Sequence, residues 1–141
     1  MFLVDDDETE FAERQKECRA GTGDDPHLAL RHLPPDQTHL INVTGKALPF
    51  QSGLAYTTGK NMTVTARGPE IREVMKKVSK DESVEYLAVD DVHYIMATDF
   101  MDKATVGGYE KWNIMARNIW DILVTASHLR SGLKVFLLTH E

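Results

Sequence analysis

Two adjacent carboxylates, Asp90 and Asp91, end the apolar run Tyr86-Leu87-Ala88-Val89. A strand buried on both faces carries Leu, Ala and Val at successive positions, so acids placed where it leaves the sheet stand in a crevice. There the first carboxylate can hold a divalent cation and the second can polarise an attacking water. The same pattern also marks ordinary strand ends, where acids face solvent or cap the next helix. A phosphate-binding loop upstream would decide for the cation.

The stretch to examine is Cys18-Arg19-Ala20-Gly21-Thr22-Gly23-Asp24-Asp25. A working loop reads G-x-x-x-x-G-K-[ST], in which backbone N–H groups surround the phosphates, Lys neutralises charge and the hydroxyl binds magnesium. Gly21-Thr22-Gly23 matches its middle. Cys18 replaces the first glycine, however, Asp24 replaces the lysine and Asp25 the Ser or Thr. At about 4 Å and an effective dielectric of about 20, each carboxylate facing a phosphate charge costs about 4 kcal/mol. Ordinary nucleotide binding there is impaired.

The elements that must position these residues read as an alternation of strands and helices. Leu28, Leu30 and Leu33 fit a short helix ended by Pro34-Pro35, and His39 to Val43 fit a buried strand. Residues 44–61 form a long loop with three glycines, followed by a short strand from Met62 to Thr65. Pro69 opens a helix whose Ile71, Val74, Met75 and Val78 make one buried face. After the strand ending at Asp90, residues from Met96 to Gly108 read as a linking region. A second helix runs from about Tyr109 to Arg130, with Trp112, Met115, Ile119, Ile122, Leu123, Ala126 and Leu129 on one stripe and Gly132 as its C-terminal cap. The eight-residue spacing of Trp112 and Trp120 is read as core packing. Leu133 to Leu138 is the last strand. Such alternation implies an α/β fold with a mostly parallel sheet.

With 141 residues and 42% hydrophobic content, one domain can bury a core. The net charge of −6 is uneven, because residues 1–25 carry nine acids and three bases whereas the remainder carries thirteen of each. No basic stripe of a dedicated nucleic-acid binder is present, and Lys76, Lys77 and Lys80 read as a solvated helix face. The single cysteine, Cys18, excludes an internal disulfide, and with no secretion leader or apolar run of bilayer length the expectation is a soluble, cytoplasmic protein.

Leu33-Pro34-Pro35, the segment Leu40 to Phe50 with Asn42-Val43-Thr44-Gly45-Lys46, the segment Leu87 to Met96, and Phe136-Leu137-Leu138-Thr139-His140-Glu141 occur in this order. Together they resemble a bacteriophage family of AAA-type P-loop ATPases, small RecA-like proteins usually found near phage recombination and replication genes. The likeness spans about residues 20–141, leaving residues 1–19 as an acidic N-terminal segment. It implies a three-layer, RecA-like P-loop fold that binds ATP with Mg²⁺ and acts in DNA recombination or replication in the host cytoplasm. Nucleotide is then the partner, with single-stranded DNA met indirectly, a homo-oligomer as the assembly and no membrane. By position, Asp90 matches the magnesium-associated Walker B acid and Asp91 the water-activating acid. Thr139 and His140 match the polar residues that sense the γ-phosphate. Gly21, Thr22, Gly23, Asp24 and Asp25 stand at the phosphate loop. The family continues beyond the strand that ends at Leu138, so the fold is expected to be incomplete.

Two other readings remain open. One is a non-catalytic interaction module of the same fold, favoured by the missing loop lysine and hydroxyl. The other is a divalent-metal hydrolase using Asp90, Asp91 and His93, which needs no phosphate loop. Lys46 and Lys60, each following a glycine, are exposed loop residues or replacements for the loop lysine from another direction.

Overall fold

The computed structural model describes residues 2–4 (backbone), 30–48 and 55–139. The remaining residues include Cys18, Gly21, Thr22, Gly23, Asp24, Asp25 and His140, so the expectations placed on them lie outside the described part. Five strands form one sheet: β1 (Phe2–Val4), β2 (Thr38–Asn42), β3 (Met62–Val64), β4 (Tyr86–Asp90) and β5 (Lys134–Leu137). Their spatial order is β1-β5-β4-β2-β3. β5, β4, β2 and β3 run parallel, and β1 pairs antiparallel with β5. Three helices are described: α1 (Gly68–Val78), α2 (His93–Asp102) and α3 (Glu110–Ser127). The chain is therefore α/β with a mostly parallel sheet.

The strands alternate their apolar side chains between two cores because successive residues point to opposite faces. Ile41, Val43, Leu87, Val89, Val135 and Leu137 pack on one face beneath Ile71, Met75 and Val78 of α1 and Ile122 and Ala126 of α3. Leu40, Tyr86, Ala88, Phe136 and Leu138 face the other side, against Leu30, Leu33 and Tyr56. Every residue of β4 is buried, as expected for a strand covered on both faces. α1 carries Pro69 and Glu70 in its first turn and Lys76 and Lys77 in its last, an order that complements the helix dipole. Arg72 of α1 and Asp121 of α3 pair at 2.9 Å and hold the two helices side by side.

Three expectations are corrected. The supposed linking region contains α2, whose buried side chains are only Ile95 and Asp99, too few to print a helical period on the sequence. Asp99 instead ties α2 to α3 by accepting from the Asn118 amide (2.6 Å), and it pairs with Lys103 at the end of its own helix (3.3 Å). The tryptophans are not core residues: Trp120 is 65% exposed and Trp112 49%. At about 100° per residue, Trp120 lies about 160° round the helix from buried Ile122, while Trp112 sits one turn before the core begins. Trp112 rests on Phe100 (5.4 Å between centroids), with Lys111 Nζ over both rings. Finally, α3 is capped at His128, and Gly132, at φ 90°, serves the turn that enters β5. Among the described residues, no helix is long and apolar enough to cross a membrane.

Candidate functional site

In an open parallel sheet, ligands sit outside the carboxyl ends of the strands. Here β2, β4 and β5 deliver their polar residues to that one rim. Asn42 and Asp90 are register partners on neighbouring strands and share a face. Both are buried, as is Asp91, which leaves only 5% of its surface exposed.

Asp91 takes φ 63°, and among described non-glycine residues it alone has a positive φ. Left-handed backbone disfavours residues with a Cβ, although Asp tolerates it better than most. Strain of this kind concentrates at functional sites. The turn delivers the chain directly into α2, with the Tyr94 N–H donating to the Asp91 carbonyl at 2.9 Å.

Backbone bonds lace the rim together. Val43 N–H donates to the Asp90 carbonyl, Leu138 N–H to the Val89 carbonyl and Val92 N–H to the Leu138 carbonyl. Thr139 follows directly, half-buried, at the same end as the two acids.

The turn after β2 is organised by Asn42. Its Oδ1 accepts from the Gly45 N–H at 2.8 Å and its Nδ2 donates to the Lys46 carbonyl at 2.8 Å. Gly45 has φ 67°, which glycine adopts without penalty. The Thr44 hydroxyl lies 3.4 Å from both Asn42 Oδ1 and Asp91 Oδ2. Lys46 is exposed, its Nζ 5.2 Å from the Tyr94 ring centroid.

No family model, curated protein or solved structure matches the chain.

The structure thus brings Asp90, Asp91 and Thr139 to one rim and adds Asn42, Thr44 and Lys46. Lys60 lies at the opposite end, before β3 begins. His93 opens α2 with an exposed ring 4.3 Å from that of Tyr94. It does not gather with Asp90 and Asp91: among the described residues, no three His, Cys, Asp or Glu side chains form a metal cluster. The oxygen donors that are present, two carboxylates and a hydroxyl, suit a hard cation that takes its other ligands from phosphate and water. Thr44 and Lys46 lie in the segment Asn42-Val43-Thr44-Gly45-Lys46, where an asparagine two residues before a threonine-glycine pair marks the turn.

A cavity lies elsewhere, at the amino end of the strands. It encloses about 1240 Å³ between Thr38, His39, Asn61, Thr63, Lys77 and Asp81. His39 Nε2 is 2.9 Å from the Thr63 hydroxyl. Burial, and then the nearby Lys77, hold its imidazole below the usual histidine range despite the opposing pull of Asp81. Lysines and acids balance around this trough, and nothing in it converges as the carboxylates do at the other end.

Proposed function

We propose that the carboxyl end of the sheet is a magnesium-nucleotide site of the phage AAA-type, RecA-like kind, acting in DNA recombination or replication. The observation that carries this reading is the pair of buried acids, Asp90 and Asp91, set side by side by a left-handed turn. Asp90 would hold the cation that neutralises the phosphates. Asp91, across from the Thr44 hydroxyl, would orient and polarise a water. Thr139, two residues beyond the end of β5, would sense a terminal phosphate, with His140 following it in sequence. Gly21, Thr22 and Gly23 would offer backbone N–H groups, and the charges of Asp24 and Asp25 would weaken that grip.

Titration calorimetry of ATP with and without magnesium tests this on three chains. The natural chain is expected to bind weakly, Asp24→Lys/Asp25→Ser at least about tenfold more tightly through the loss of like-charge repulsion, and Asp90→Asn without magnesium dependence. Absence of binding by both the natural chain and the double variant sinks the reading.

A non-catalytic interaction module of the same fold is supported by the exposed Phe100, Tyr109, Trp112 and Trp120 on α2, α3 and the segment between them. A homo-oligomer built on this face would fall to monomer in Trp120→Lys by sedimentation, with no chain binding ATP.

A further inference from the structure

The rim supplies a cation of its own where the sequence of the phosphate loop supplies none. Asp24 and Asp25 are negative at the two positions where a phosphate needs a lysine and a hydroxyl. The strand beside Asp90 runs into Lys46 instead. The buried Asn42 carboxamide grips the turn at both Gly45 and Lys46, so the lysine's backbone is fixed two residues from Thr44, whose hydroxyl faces Asp91. Among the described residues, the Lys46 ammonium meets no carboxylate; it lies over the face of Tyr94. Tyr94 in turn is bonded through its N–H to the carbonyl of Asp91, so the ring and the acids belong to one turn.

We propose that Lys46 is the phosphate-binding cation of this site, resting on Tyr94 until a magnesium-bearing polyphosphate reaches the rim. The inference deepens the nucleotide reading above and rests on it. A cation over an exposed aromatic face is weakly held, whereas an ammonium bonded to a phosphate oxygen is a charge-assisted pair, so transfer from ring to phosphate runs downhill. Lysine suits the task because its flexible stem carries a point charge with three donors. Fixing the backbone through Asn42 restricts the search to the side chain alone. Lys46 reads charge and not base, so its contribution extends to inorganic tripolyphosphate.

The test is calorimetric titration of the full chain with magnesium-ATP and with magnesium-tripolyphosphate, with thermal unfolding of every variant measured alongside. Lys46→Gln is expected to weaken both ligands about 10–100-fold, the range of one hydrogen bond to a charged group, at an unchanged melting temperature. Lys46→Arg keeps affinity within about threefold, since it retains the charge. Tyr94→Leu binds as tightly as the natural chain or more so. Unchanged affinity in Lys46→Gln overturns the role of Lys46 while leaving the nucleotide site standing. Failure of both the natural chain and Asp24→Lys/Asp25→Ser to bind either ligand removes both; where only the double variant binds, Lys46→Gln is read in that background by the same criteria. A loss in Lys46→Arg or Tyr94→Leu as deep as in Lys46→Gln shows that the turn matters only as scaffold, and also overturns the proposal. Should Lys46→Gln melt early, the Lys46→Arg and Tyr94→Leu pair decides on the same criteria.

Discussion

Replacing Asn42 with alanine separates the turn that carries Lys46 from the strand that carries the acids. The carboxamide makes two hydrogen bonds at 2.8 Å and a longer contact with Thr44 at 3.4 Å, from a position 2% exposed. Each good bond contributes about 1 kcal/mol net, and truncation adds a small cavity. Gly45 and Lys46 are exposed, so water reaches the freed N–H and C=O and limits the loss. The expected cost is about 2–3 kcal/mol, a large fraction of a domain's usual 5–15. In a chain of this length that lowers the melting temperature by about 5–12 °C. Urea unfolding followed by tryptophan fluorescence and by far-ultraviolet dichroism measures it, with an unchanged slope showing that the denatured state is not the cause. At a temperature where both chains are folded, the variant should also bind magnesium-ATP less well, because Lys46 no longer has a fixed origin. A variant within about 0.5 kcal/mol of the natural chain, the ordinary range for a neutral surface change, would show that the turn is held by its backbone alone and refute the reasoning.

Arg130 donates to the carbonyls of Ser79 (3.2 Å), Asp81 (3.1 Å) and Val84, clamping the α1–β4 connection to the end of α3; Arg130→Ala should cost about 2–4 kcal/mol in urea unfolding. Arg130→Lys should recover only part of this, since a point charge cannot serve three carbonyls in a fork. The depressed His39 pKa means that the folded state prefers the neutral ring. Its stabilising contribution is therefore complete above the unfolded value of 6.5 and is lost as pH falls through the lower folded value. Urea midpoints for the natural chain should drop between about pH 7.5 and pH 5, and His39→Gln should flatten that part of the decline which belongs to this residue. Gly132 sits at φ 90° with no atom within 4 Å of an added Cβ, so Gly132→Ala should cost about 1 kcal/mol through backbone strain alone.

What the sequence revealed depended on how completely an element is buried. α1 announced itself because Ile71, Met75 and Val78 all turn to the sheet, and β4 because each of its residues is covered. α2 left no such trace: one apolar side chain, Ile95, reaches the core, and its second anchor is the carboxylate of Asp99. Hydrophobic periodicity cannot see a helix held by a carboxylate and an amide. Trp112 and Trp120 misled for the complementary reason, since aromatic size suggests burial whereas angular position on α3 decides it. At the rim, the acids were legible as the end of an apolar run. The left-handed turn at Asp91 was not, because no glycine marks it. Lys46 stood in view, but its place beside Tyr94 joins residues 48 positions apart in the chain and emerges only when β2 and β4 are paired.

The backbone bonds from Val43 to Asp90, from Leu138 to Val89 and from Val92 to Leu138 make the rim one cooperative unit for amide exchange. No one of these three strand ends can fray without loosening the next. Their deuterium uptake should therefore share a single opening energy, and a ligand held at any point of the rim should slow all three amides in step.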